Sequence, residues 1–122
     1  MPIVDIEIVG DVTGSHAADC AQALADEAAR VFGSPPASTW VRVHSLARDS
    51  YAENGVAVPP TDMPVFVTVL KRQVPERAEL MREITTLTQG IARIVGRSPG
   101  RVHVEYAAAA AGRMAFGGTL VE

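Results

Sequence analysis

Met63-Pro64-Val65-Phe66-Val67 repeats Met1-Pro2-Ile3-Val4-Asp5, the stretch with which the chain opens, and the agreement then continues in order. A helical stretch follows each start and closes on glycine, at Phe32-Gly33 and at Val95-Gly96. A Ser-Pro turn comes next, Ser34-Pro35 and Ser98-Pro99. After it runs a β-branched strand, Val41-Arg42-Val43-His44 and Val102-His103-Val104-Glu105. Each half then reaches an aromatic followed by glycine, in Tyr51-Ala52-Glu53-Asn54-Gly55 and in Phe116-Gly117-Gly118. Each match alone is weak. Together, in one order and at a near-constant offset, they identify a tandem duplication of a unit half the chain long. The pseudo-repeats cover 1–60 and 63–122 of a single domain spanning 1–122.

Each unit reads as strand, helix, strand. Residues 3–9 are β-rich, with Val4, Ile6 and Ile8 on one face. Thr13 or Ser15 is placed to cap a helix whose stripe is Ala17, Cys20, Leu24, Ala28 and Val31, a helical period. Trp40–Leu46 is a strand, and Arg48–Asp62, rich in Pro, Gly, Asp and Asn, joins the copies. In the second unit Val65–Leu70 is a strand apolar on both faces. Pro75-Glu76 suit the first turn of a helix carrying Leu80, Ile84, Leu87, Ile91 and Ile94, and Val102–Tyr106 is the last strand. Two β-α-β units with right-handed crossovers give the expected class, α+β, with one four-stranded sheet and both helices on one face. Ile3, Phe66 and Leu70 have the opposite parity to Val4, Val65 and Val67, so the uncovered face is expected to be apolar and buried by other subunits. A closed homo-oligomer follows from that expectation.

Composition narrows the function. Apolar residues make up 48% and charged residues 20% of the 122, a globular balance. The net charge of −3 has no basic stripe, which argues against nucleic acid. One cysteine, Cys20, excludes an internal disulfide and reads as a small core residue. No apolar run reaches the length of a membrane span, and the N-terminus lacks the pattern of a secretory leader. A cytoplasmic protein is expected. His16, His44 and His103 have no metal spacing with Cys20 or with carboxylates, no glycine-rich phosphate loop follows a strand, and no cofactor or metal is expected. The run Ala107–Ala111 suits close backbone packing at a subunit contact.

Pro2 is the residue with chemistry. Removal of Met1 would leave a secondary amine at the head of a strand. An α-amino group titrates near about 7.7–8.0, and burial or a nearby cation lowers that value. A general base works best with a pKa close to the working pH. The bland reading of Pro2 is a tolerated first strand residue. Pro64 is locked in an amide, so only the first unit has an amine to use.

The Pro2 start, the duplicated β-α-β unit, the turn after the first helix and the aromatic-glycine tail together resemble the tautomerase superfamily. The resemblance covers essentially the whole chain and is closest to the fused two-unit members, such as macrophage migration inhibitory factor and malonate semialdehyde decarboxylase. Gly96-Arg97-Ser98-Pro99-Gly100-Arg101-Val102-His103-Val104 is similar to the second turn and fourth strand of that family. The resemblance implies a homotrimer and a tautomerase that uses Pro2 as general base for keto–enol transfer on small 2-oxo or 2-hydroxydienoate acids. It also implies substrate-binding roles. Arg72, just past the third strand, falls where relatives clamp a carboxylate, a task that suits a planar fork; otherwise it is a solvated strand-end cation. Trp40 and His103 occupy equivalent places in the two units, His103 as a polar contact from the adjacent subunit. Phe116 falls at an aromatic pocket wall, with core packing as its plain alternative.

The sequence also departs from the family. Ser34 stands where cytokine-like members carry lysine, no carboxylate accompanies Ser38, and Val74 replaces a second arginine. A lyase, hydratase or dehalogenase needs those groups, and simple proton transfer does not. A non-catalytic trimeric binding or structural protein of the same fold is the reading from a different class.

Overall fold

The computed structural model describes residues 1–11 and 16–122, with the side chains of helix α1 from Cys20 onward. The expected caps Thr13 and Ser15, and the side chains of His16 and Ala17, lie outside the described residues. Strand β1 (Ile3–Val9), helix α1 (His16–Phe32) and strand β2 (Trp40–Leu46) form the first unit. Strand β3 (Val65–Leu70), helix α2 (Arg77–Val95) and strand β4 (Val102–Tyr106) form the second. A short hairpin, β5 (Ala115–Phe116) and β6 (Thr119–Leu120), ends the chain. The sheet order is β2-β1-β3-β4. Each unit pairs its own strands in parallel, and the units join where β1 and β3 run antiparallel.

Alternation decides which residues see the helices. Val4, Ile6 and Ile8 of β1 and Val65, Val67 and Val69 of β3 are all fully buried in one cluster with Leu24, Leu87 and Ile91. On α1 the expected stripe holds from Cys20 to Val31. On α2 the buried face is Glu83, Leu87, Ile91 and Val95, with Leu80, Ile84 and Ile94 only partly covered. The helices approach closely at Gly90, where a Cβ would stand 2.2 Å from Glu27 Oε1. Gly96 closes α2 in the left-handed region, a conformation glycine adopts without steric cost.

Two expectations need correction. The Met-Pro match is out of phase with the sheet, because Ile3 lies on the open face while Val65 belongs to the helix-side core. A slip of one residue reverses every side chain, so the units superpose one residue to either side of that match. Second, the open face is not an apolar sheet. Ile3, Phe66 and Leu70 sit on the two inner strands; Glu7, His44 and His103 share the row of Phe66, and Asp5, Arg42, Thr68 and Glu105 form the row between it and Ile3–Leu70. Arg42 donates two bonds to Asp5, of 2.6 and 2.7 Å, and Thr68 donates to Glu105 at 3.2 Å. Three strands that alternate apolar and polar present a half-solvated face, as antiparallel and mixed sheets commonly do.

Candidate functional site

Pro2 is buried at the head of β1, and its carbonyl accepts the Trp40 N–H at 3.0 Å. The Met1 amine donates to the Ser38 carbonyl at 2.6 Å. The chain therefore stays extended beside β2 through its first residues. The turn beneath them is shaped by Ala37, the one non-glycine residue with positive φ (67°) among those described. The Ala37 carbonyl accepts the Trp40 indole N–H at 2.9 Å, which sets the direction of the ring. Thr39 Oγ1 donates to Ser34 Oγ at 2.7 Å and closes the turn.

The tail reaches this end of the sheet from the opposite edge. Beyond β4, Ala107 N–H donates to the Val69 carbonyl, Ala110 to Lys71 and Ala111 to Arg72, at 2.8, 2.9 and 3.2 Å. The alanine run thus prolongs the ladder along β3 to Arg72. The hairpin follows, turning on Gly117 and Gly118, both at positive φ. It sets the Phe116 ring edge-on to Trp40, with centroids 5.0 Å apart, a favourable arrangement for aromatic pairs. Pro2, Trp40 and Phe116 are therefore brought together. Arg72 stands at the same end, two residues past Leu70, the register partner of Ile3. Its side chain is exposed and makes no hydrogen bond or ion pair among the described residues. His103 is not brought to this group: it pairs across from Phe66, toward the other end of β3, and its ring lies tilted to that one, with centroids 5.6 Å apart.

On the helix side of the same end lies a buried polar cluster that sequence reasoning missed. Glu83, 2% exposed, accepts Lys71 Nζ at 2.9 Å and the Tyr106 hydroxyl at 2.6 Å. Lys71 Nζ also lies 4.8 Å from the centre of the Phe32 ring, within cation–π range. Burial first, and then the bond to Glu83, holds the Tyr106 phenol far above its ordinary value. The signal was present: Glu83 sits one turn before Leu87 on the buried face of α2. An acid there requires a partner.

The opposite end is closed by arginines. Arg97 donates to the carbonyls of Val9, Met63 and Asp11 at 2.9, 2.8 and 3.1 Å, and Arg101 donates to that of Asp62 at 2.6 Å. Arg101 also pairs with Glu53, which accepts the Tyr51 hydroxyl at 2.5 Å. Pro64 is fully buried there. Burial pushes the Arg97 guanidinium below its ordinary value and the Cys20 thiol above its own. Among the described residues no three His, Cys, Asp or Glu side chains are placed to hold a metal ion, and no helix is long and apolar enough to cross a membrane.

No protein-family model matches the sequence, and no curated protein matches it. Solved structures do match the fold. One is Pt0534 inactivated by 2-oxo-3-pentynoate, at TM-score 0.80 and 17% identity over 98% of this chain and 94% of that one. A wild-type fused 4-OT, a symmetric trimer, matches at 0.76 and 18% over 98% and 94%. A macrophage migration inhibitory factor-like protein from Entamoeba histolytica matches at 0.73 and 13% over 98% and 97%. The chain shares the fold of these proteins.

Proposed function

On that fold, we propose that this chain is a tautomerase whose general base is Pro2, freed as a secondary amine by loss of Met1. The reading is carried by one observation: Pro2 is buried at the head of a central strand, its backbone fixed by the Trp40 N–H, beside the Trp40–Phe116 pair. A base so held is oriented before substrate arrives, and the aromatic pair limits water access. The amine nitrogen takes a proton from the enol oxygen or the α-carbon of a small 2-oxo or 2-hydroxydienoate acid and returns it to the other atom. Arg72 supplies the cation for the carboxylate, by two parallel N–H bonds, and disfavours protonation of the amine. The 2-oxo-3-pentynoate that inactivates Pt0534 is an acid of that class.

The working form in this proposal is a homotrimer, as the fused 4-OT neighbour is. In it His103 would serve a neighbouring subunit's pocket, since within its own chain it lies away from Pro2. The turn 34–39 holds no acidic side chain to activate water, which favours proton transfer over hydration or dehalogenation. With Met1 attached, the Pro2 nitrogen is an amide and the trimer would be a binding protein. Turnover of phenylpyruvate and 2-hydroxymuconate enols, measured on protein of known intact mass, tests the proposal. Turnover by the Met1-free form supports it, and a Met1-free form that turns over neither enol removes it.

A further inference from the structure

The antiparallel register of β1 and β3 sets Val4 opposite Val69 and Ile3 opposite Leu70. Carried one residue further, it sets Pro2 opposite Lys71. Successive side chains of a strand point to opposite faces, so Pro2 and Lys71 return to the helix side with Val4 and Val69. Pro2 is buried there, and Lys71 reaches Glu83 of α2 at 2.9 Å. Toward β2, Pro2 is fixed by the bond from the Trp40 N–H. Toward β3 the pairing ends at Ile3–Leu70, and what holds the chain beyond Leu70 starts at Lys71. Its carbonyl accepts the Ala110 N–H at 2.9 Å, and the next one, of Arg72, accepts that of Ala111 at 3.2 Å. Its ammonium is held between Glu83 and the face of the Phe32 ring.

Glu83 gathers three elements at this point. It sits on α2, takes the ammonium from the end of β3, and accepts the Tyr106 hydroxyl, 2.6 Å away, from the end of β4. Tyr106 in turn pairs with Val69 in the sheet. Such a triad is a poor device for stability alone, because apolar residues of similar volume in place of a buried ion pair are often as stable. It does fix geometry, since its hydrogen bonds are directional. We propose that Glu83 is a positioning residue: through Lys71 and Tyr106 it locks the end of β3 to α2 and so holds the segment carrying Arg72 in register with Pro2. The lock stands on its own bonds, and its service to proton transfer rests on the tautomerase reading. Misplacing a reacting group by about 1 Å can cost 10²-fold in rate, and that is the lever on which the lock acts.

The test replaces the triad without leaving a charge behind: Lys71→Met, Glu83→Met and Tyr106→Phe together, in the full chain freed of Met1. Thermal unfolding should stay close to wild type. The kcat for phenylpyruvate enol, per mole of folded protein, should fall about ten- to a hundredfold. Amide exchange at Ala110 and Ala111 should quicken, with that of Val67 unchanged. Lys71→Arg, which keeps a charged donor for Glu83, should retain most of the wild-type kcat. A folded triple variant with wild-type kcat overturns the role, as does a fall in kcat without faster exchange at Ala110 and Ala111. Should the triple variant not fold, Tyr106→Phe alone, which keeps the ring, is read the same way for a fall of about three- to tenfold. In a protein whose wild type turns over no enol, faster exchange in the variant leaves the lock standing and removes the Pro2 reading alone. Unchanged exchange overturns the lock whatever the turnover.

Discussion

The two ends of the sheet each gather arginines, and they use them in opposite ways. At the Pro64 end, Arg97 and Arg101 spend their donors on main-chain carbonyls of Val9, Met63, Asp11 and Asp62. They stitch the start of β3 to the end of β1, and Arg101 also pairs with Glu53. At the Pro2 end, Arg72 and Arg113 have no side-chain partner among the described residues. One end is thus a fastening, while the other keeps exposed cations without side-chain partners among the described residues. Function is read from unspent hydrogen-bonding capacity, not from residue type.

The same contrast runs through the helices. Each holds one buried glutamate: Glu27 on α1 is answered by Arg30 and Arg93, and Glu83 on α2 by Lys71 and Tyr106. Glu83→Ala strands Lys71 and the Tyr106 hydroxyl, and removing one partner of a buried pair costs about 3–5 kcal/mol. Chemical denaturation should show that loss; a change below ~1 kcal/mol would mean that water replaces the carboxylate.

Arginine substitutions at the two ends should separate stability from binding. Arg97→Ala leaves buried carbonyls unanswered and should lower stability by about 2–3 kcal/mol. Arg72→Ala should stay within about 0.5 kcal/mol of wild type while raising KM for acidic substrates, and Arg72→Lys should recover part of that loss. Equal destabilisation by both variants would erase the distinction between the ends.

The smallest effect concerns pH. The Arg30 bond, ahead of the attraction of Arg93, holds the Glu27 carboxyl below its ordinary value despite burial. A depressed folded value means that the unfolded chain binds the proton more readily. The stabilisation is thus complete above about pH 4.3, the unfolded value, and is lost as pH falls through the folded one. Glu27→Gln should flatten the acid limb of a stability curve; an unaltered limb would show that Glu27 does not couple to folding.

Much of the fold was legible because its signals are local and periodic. Val4, Ile6 and Ile8 alternate, Cys20 to Val31 keep a helical period, and Gly96 marks the end of α2. The strand–helix–strand pattern, read twice along the chain, matches the order of elements. Phase was legible in the alternation, which sets Ile3, Phe66 and Leu70 opposite Val4, Val65 and Val67, although Met63-Pro64 matches Met1-Pro2 by letter one residue out of step with the pleat. The open face was misjudged. Ile3, Phe66 and Leu70 were visible as apolar, while the cross-strand neighbours Asp5–Arg42 and Thr68–Glu105 come together only through register. Of the candidate site, Pro2, Trp40 and Phe116 meet as the sequence pattern allowed. Lys71–Glu83–Tyr106 depends on contacts between distant segments, which no spacing rule announces.

The central claim is that a free Pro2 amine does the chemistry. The direct test compares two forms of the same purified protein, one with Pro2 at its N-terminus by intact mass and one with that amine acetylated. General-base catalysis contributes about 10²–10⁴-fold, so acetylation should abolish enol turnover by that factor while sedimentation shows the oligomer unchanged. Full turnover by the acetylated form, or by a form whose mass retains Met1, would contradict the account.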